Sequence, residues 1–451
     1  MIDQAERPIR HPNTASPAVM TRRGWWLVLL NFLLPGSAQV LAGNRRLGRL
    51  GLISTFTLWL LAIAAGVLAL VRPEQLFAFA TNSWFLVLAQ IVLIAYAVLW
   101  FVLAVDTLRL TRIIRATPLG RVAILGLGLA FLVASTGIAG AGAYYANVAG
   151  DTLGKLFGAS APPEDPTDGY YNILLLGGDA GPDRSGMRPD SLSVVSINAD
   201  SGQATMIGLP RDMLNVPFND TSPMHKRYPN GYNKCDVSAC KLNSIYTEAE
   251  VRHPDFYPNA KAEGSSPGIE ATKDAAEALT GLRIPYYVLV DMQGFADLID
   301  ALGGVEVTVD KRLPIGGDEN LNGVIEWIEP GTQHMDGYHA QWFARSRHGT
   351  SDFDRMERQR QLQEAVLKQF TPANVFSKFQ GIADAGTQVV KTDIPRDLIG
   401  YFVNLATKTR ALPVQKLELT PANGINQDHP DIDQIHGKIR DLLYPKSTPA
   451  K

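Results

Sequence analysis

Between Trp25 and Tyr145 the chain is almost purely apolar, so this region needs a solvent other than water. Three stretches exceed the roughly 18 apolar residues that a bilayer crossing requires: Leu50 to Val71, Trp84 to Val105 and Val122 to Tyr145. A fourth, Trp25 to Ala42, is short and interrupted by Asn31, Pro35-Gly36 and Gln39. Arg7, Arg10, Arg22 and Arg23 precede it, and Arg45, Arg46 and Arg49 follow it, so both flanks carry the cytoplasmic signature. Arg109, Arg112, Arg115 and Arg121 mark the loop before the last span in the same way, whereas Arg72 to Ser83 holds one arginine and one glutamate. The expectation is a cytoplasmic tail over 1–24 and a transmembrane region over 25–146, with three spans plus a re-entrant segment broken at Pro35-Gly36. Everything after Tyr145 is then external. Four spans with an external N-terminus would place the same residues outside but break the charge rule.

The remainder is mixed in polarity. Lys+Arg of 42 against Asp+Glu of 44 leaves a formal charge of -2, so no global basic field points to nucleic acid, and the short N-terminal tail holds no helix-turn-helix pattern. Residues 147–169 read as a linker, with Pro162-Pro163 and Pro166 at its centre, and 446–451 as a disordered tail. Tyr171 to Leu176 reads as a buried strand, and Ser191 to Asn198 with Gln203 to Leu209 as a hairpin. Helical stripes over Gly268 to Leu279 and Phe295 to Leu302 alternate with strands at Tyr286 to Val290 and Val305 to Val309. The expected class is α/β: an external αβα domain over 170–445 with a central mixed sheet covered by helices, preceded by an all-α transmembrane region. Cys235 and Cys240, the only cysteines, either form a disulfide outside the membrane or remain free thiols; with distant His225 they have no recognisable zinc spacing.

Chemistry concentrates in arginine clusters. Arg345-Ser-Arg347-His348 and Asp352 to Arg360 are dense in guanidinium, and Gly177-Gly-Asp179, Arg188-Pro-Asp190 and Pro210-Arg211-Asp212 lie upstream at strand ends. Guanidinium forks match phosphate oxygens bidentately, and carboxylates on short loops hold hard cations such as magnesium. A helix from about Asp354 to Phe370 places Arg355, Arg358, Gln359 and Leu362 on one inward face. Asp212 pairs either with Arg211 or with a backbone group.

The ordered set Leu176-Gly-Gly-Asp179, Arg188-Pro-Asp190, Leu209-Pro-Arg211-Asp212, Lys241-Leu-Asn243, Leu302-Gly-Gly-Val305, Gly331 to Gly337, Arg345-Ser-Arg347 and Asp352 to Gln359 resembles the LytR-CpsA-Psr family. The resemblance covers about 170–370 and implies a membrane-anchored phosphotransferase of mostly Gram-positive bacteria. Such enzymes move a glycopolymer from a polyprenyl diphosphate carrier onto peptidoglycan. By that resemblance Asp179 and Asp190 are the metal carboxylates, for Mg2+ or alternatively Mn2+. Arg188, Arg211, Lys241, Asn243, Arg345, Arg347, Arg355, Arg358 and Gln359 would grip the diphosphate, with Asp352 as candidate base. Arg188, Arg211, Arg345, Arg347 and Asp352 form the expected catalytic set. An apolar groove built from Tyr286 to Val290 or Phe295 to Leu302 would hold the isoprenoid. Where the family writes glycine this chain has Asp354, expected as a helix N-cap. A carrier diphosphatase with water as acceptor and a non-catalytic envelope sensor are the rival readings. Which polymer is moved, and the oligomeric state, stay open.

Overall fold

The computed structural model describes residues 9–445 apart from 11, 73–74, 77–78, 80–81, 157–162, 180–187, 319, 347–350, 370–377, 379–380 and 382–389. It divides into two compact units, Met1–Asp151 and Thr152–Lys451.

The first unit is all helix: α1 (Pro17–Leu33), α2 (Ser37–Ala42), α3 (Arg45–Val71), α4 (Ser83–Thr111) and α5 (Pro118–Leu156), which continues past this unit's boundary. The chain breaks between α1 and α2 at Leu34 to Gly36, because proline supplies no donor and Gly36 turns left-handed at φ 101°. Asn31 Oδ1 accepts from the Gly36 amide at 3.1 Å, and buried Gln39 donates to the Leu103 carbonyl (2.8 Å) on α4. A side chain at Gly36, Gly48 or Gly51 would collide with facing backbone, so these small residues let the broken segment lie directly on α3.

Among the described residues two helices are long and apolar enough to cross a membrane, Arg45–Val71 with mean hydropathy 2.2 and Trp84–Arg115 with 2.6. Only 6% of either apolar window is buried by protein, which suits both to lipid rather than to a soluble core. The third expected span falls on α5, whose described apolar stretch is Pro118–Ala134. That helix runs on to Leu156, so residues 147–156 of the stretch expected as linker are helical.

The second unit is built on a six-stranded mixed sheet. Its strands are β1 (Tyr170–Asp179), β2 (Arg188–Asn198) and β3 (Ala204–Gly208), then, after helix α6 (Pro267–Thr280), β4 (Tyr286–Asp291). Helix α7 (Met292–Ala301) leads to two short ribbons made from β5 (Val305–Val309), β6 (Leu313–Gly316), β7 (Val324–Ile328) and β8 (Gly331–Met335). Helices α8 (Gly337–Arg345) and α9 (Asp352–Gln369) follow, then β9 (Val390–Thr392), α10 (Ile399–Arg410), β10 (Gln415–Glu418) and α11 (Ile432–Leu443). The sheet order is β10-β3-β2-β1-β4-β9, with β1·β4 and β3·β10 parallel and the other pairs antiparallel.

Alternation decides which side chain meets which layer. Leu174, Leu176, Leu192, Val194, Ile207, Tyr287 and Leu289 pack into the main core with α6 and α11. At about 1.5–3 kcal/mol for each large apolar side chain buried, this face dominates the stability of the unit. The intervening residues Ile173, Leu175, Val195, Ile197, Val288 and Val290 face the other way, under α7, α9 and α10, where they line a cavity of about 460 Å³. Cys235 and Cys240 form a disulfide.

Candidate functional site

The sheet delivers charge to one end of β1 and β2. A bulge at Gly177/Gly178 shifts the register so that Asp179 pairs with Arg188, which leaves Asp190 two residues further along β2. Arg211 follows β3 on the Leu209-Pro210 turn, where the Leu209 amide donates to Leu192 O at 3.0 Å. Its guanidinium donates to Asp190 Oδ1 and lies 3.6 Å from Asp212 Oδ2 and 3.8 Å from Asp352 Oδ1. Lys241 Nζ donates to Asp212 Oδ1 at 2.9 Å, and Arg355 Nη2 to Asp352 Oδ1 at 2.8 Å. Asp190, Arg211, Asp212, Lys241, Asp352 and Arg355 therefore form one network of alternating charge.

The charges support each other. Burial opposes ionisation of Arg211, yet Asp190, Asp212 and Asp352 hold its pKa above the usual guanidinium value. Burial alone would raise the Asp212 carboxyl, but the Lys241 hydrogen bond and Arg211 bring it below the usual carboxylate range. Asp212 thus pairs with side chains and not merely with backbone. Asp352 anchors two guanidiniums, so it acts as a base only if incoming phosphate oxygens take them over.

The other expected residues take different places. Arg188 is exposed and donates to Ser238 Oγ (3.3 Å) in the disulfide loop. Asn243 is buried beside the network, its amide donating to Arg211 O at 3.0 Å. Arg345 stands exposed at the end of α8. Arg347 and the side chain of Asp179 lie outside the described residues.

Helix α9 starts at Asp352, two residues before its expected beginning, and buries Arg355, Arg358 and Gln359. Arg358 donates through Nε to Phe343 O at 2.9 Å and through Nη2 to Ser346 O, and Gln359 Nε2 donates to Ala344 O at 3.3 Å. These are carbonyls of the last turn of α8, which has no later amides of its own to fill them. In this geometry Arg358 holds the Arg345 segment in place. Gln359 also lines the apolar cavity and joins it to the charged network through the helix it shares with Arg355.

Asp354 is not the N-cap. Ser351 takes that position: its Oγ accepts from the Asp354 amide at 3.1 Å, while Asp354 Oδ2 accepts from the Ser351 amide (2.7 Å) and hydroxyl (2.8 Å). This reciprocal pair is a capping box, written in the sequence as Ser-x-x-Asp and not recognised there. Its backbone and hydroxyl bonds depress the Asp354 carboxyl. A depressed acid stabilises the fold above its unfolded pKa and loses that contribution as pH falls through the folded value, so this cap weakens below about pH 4. Ser351→Ala should cost about 0.5–2 kcal/mol, read as a lower urea midpoint at pH 7. An unchanged midpoint would remove the cap from the account.

Arg360 belongs to the guanidinium-dense segment but had no role assigned to it there. It is 1% exposed, lies 3.4 Å through Nε from Glu418 Oε1 on β10, and donates to Gln363. It braces α9 against the sheet edge.

The LytR_cpsA_psr family profile matches residues 147–438. The Corynebacterium glutamicum cell wall biosynthesis protein LcpA is 25% identical over 313 residues, covering 61% of this chain and 56% of the relative, so the chain spans little more than half of that protein's length. The Halalkalibacterium halodurans polyisoprenyl-teichoic acid–peptidoglycan teichoic acid transferase TagU is 28% identical, covering 66% of this chain and 88% of the relative. The crystal structure of B. subtilis TagV is 22% identical, covering 61% of this chain and 98% of that one, with a TM-score of 0.42. The family profile spans well over half of the sequence and takes in all the residues of the charged network, and the chain belongs to the LytR_cpsA_psr family.

Proposed function

We propose that this protein is a membrane-anchored phosphotransferase that moves a glycopolymer from a polyprenyl diphosphate carrier onto peptidoglycan. One observation carries the reading: a network of arginines and carboxylates adjoins an apolar cavity of about 460 Å³, with Gln359 on the wall of that cavity and Arg355 one turn away on the same helix. A lipid diphosphate is the substrate class with both halves. Val288, Val290, Phe295 and Leu298 line the cavity, so the groove expected for the isoprenoid is open rather than solid.

In the proposed reaction an acceptor sugar hydroxyl attacks the phosphorus that bears the polymer. The bond from that phosphorus to the bridging oxygen breaks, polyprenyl phosphate leaves, and the hydroxyl proton passes to Asp352. Before substrate arrives, Asp190, Asp212 and Asp352 hold Arg211 and Arg355 in place; phosphate oxygens then replace some of these carboxylates as acceptors. The donors are already oriented, so little reorganisation remains for the transition state. Magnesium or manganese would take the carboxylates of Asp190 and of Asp179, the last residue of β1, although Asp190 also serves Arg211. A bound Mg2+ would neutralise charge on the diphosphate. The topology proposed is multi-pass, with α3, α4 and the apolar part of α5 in the bilayer and the family domain outside.

The test is the full-length protein in detergent with a short diphosphoprenyl oligosaccharide, peptidoglycan and Mg2+. Saccharide should become covalently attached to peptidoglycan with polyprenyl phosphate released. Release of free saccharide phosphate at the same rate without acceptor would favour the hydrolase, and binding without turnover the sensor. Leu298→Trp, which fills the cavity, should raise KM for the long-chain carrier at least about tenfold while sparing a short-chain analogue. Equal effects on both carriers would detach the cavity from the lipid.

A further inference from the structure

A second polar cluster lies behind the disulfide loop. Glu248 begins a π-turn, Glu248–Arg252, in which the His253 amide donates to Glu248 O at 3.1 Å. Because this turn takes in one residue more than an α-turn, Glu248 and His253 come round to the same side. Asp236, next to Cys235, reaches them from the loop. His253 Nε2 sits 2.8 Å from Asp236 Oδ2 and 3.5 Å from Glu248 Oε1, and the three ligand atoms all lie within 4.8 Å of one another. Zinc bonded tetrahedrally at about 2.0–2.2 Å would separate its ligand atoms by roughly 3.3–3.6 Å, which the Glu248 distance meets and which the Asp236 distance reaches by opening about half an ångström.

The surroundings hold the set ready. Glu248 is fully buried, fixed by the Tyr228 hydroxyl and by the Asp236 amide at 3.1 Å. The His253 ring stacks on Phe256 with centroids 4.8 Å apart, which fixes the direction of Nε2. Arg227 Nη2, 3.5 Å from Asp236 Oδ2, is the neighbouring cation. A proton on Nε2 satisfies one carboxylate well, whereas a divalent ion would engage both carboxylates and the imidazole together. One imidazole with two carboxylates is a zinc-class ligand set that leaves a position for water.

We propose that Asp236, Glu248 and His253 bind a zinc-class divalent cation that ties the disulfide loop to the π-turn. The same loop carries Ser238, which touches Arg188, and leads into Lys241, which pairs with Asp212, so the ion would brace Lys241 of the charged network, and Arg188 beside it, from behind. The cluster uses neither of the carboxylates, Asp179 and Asp190, proposed above for magnesium.

The test is zinc binding by the purified full-length protein in detergent, after chelator treatment and equilibrium dialysis against zinc chloride, with metal counted by mass spectrometry. With excess Mg2+ present to compete at Asp179 and Asp190, wild type should bind one equivalent. His253→Ala and Asp236→Asn should each weaken binding at least about tenfold, whereas Asp190→Asn should leave it unchanged. Hydrogen exchange of 234–242 should slow on zinc addition in wild type alone, and thermal melts should show that the variants are folded. No stoichiometric zinc in wild type, or binding retained in both cluster variants, overturns the proposal and leaves an imidazole–carboxylate clamp. Because the readout is metal and not transfer, either outcome stands apart from the transferase reading.

Discussion

Arg211→Ala is expected to lower polymer transfer by about 10²–10³-fold, mostly in kcat, because Arg211 is the group through which every carboxylate of the network communicates. It meets Asp190, Asp212 and Asp352, so its removal both deletes a phosphate donor and leaves three carboxylates facing the incoming diphosphate. Arg211→Lys keeps the charge but not the planar fork, and should recover only a small part of the rate. Steady-state kinetics with the diphosphoprenyl substrate would decide it. Full activity in Arg211→Ala would remove this network from the chemistry.

The largest loss of stability is expected for Arg360→Ala, about 3–5 kcal/mol, as for one partner removed from a buried ion pair. Burial lowers the Arg360 pKa and raises that of Glu418, so each ion needs the other. With arginine gone, Glu418 can relieve the cost by taking a proton. A carboxyl whose folded pKa is raised loses stability as pH rises through it, so the deficit should be greatest at neutral pH and shrink on acidification. Replacing both partners, Arg360→Met with Glu418→Leu, should cost much less than either single change. Thermal melts at two pH values are sufficient. A deficit that does not change with pH would mean that packing and not charge is lost.

The sheet and its helical layers were legible because short apolar strand runs and helical stripes are local signals, and Ile173 to Leu176 or Val288 to Val290 are such runs. The arginine row on α9 was legible for the same reason, since Arg355, Arg358 and Gln359 share one helical face. What each donor touches was not. Arg358 and Arg355 are one turn apart and chemically identical, yet one donates to α8 carbonyls and the other to Asp352. That difference depends on where the end of α8 falls, which is set by tertiary packing. Glu418 gave no sign of its role because its partner lies 58 residues upstream on a different layer. Asp354 was misread as an N-cap although Ser351 had the stronger pattern.

The position of β10 also bears on the order in which this chain can assemble. Strand β3 finishes at Gly208, but its outer neighbour is Gln415–Glu418, so the sheet edge and the counter-charge of Arg360 arrive only after nearly all of the domain has been synthesised. Pairings so distant in sequence form slowly. Until β10 docks, the nascent domain exposes an unpaired edge and an uncompensated guanidinium, and it depends on its last few dozen residues to protect both.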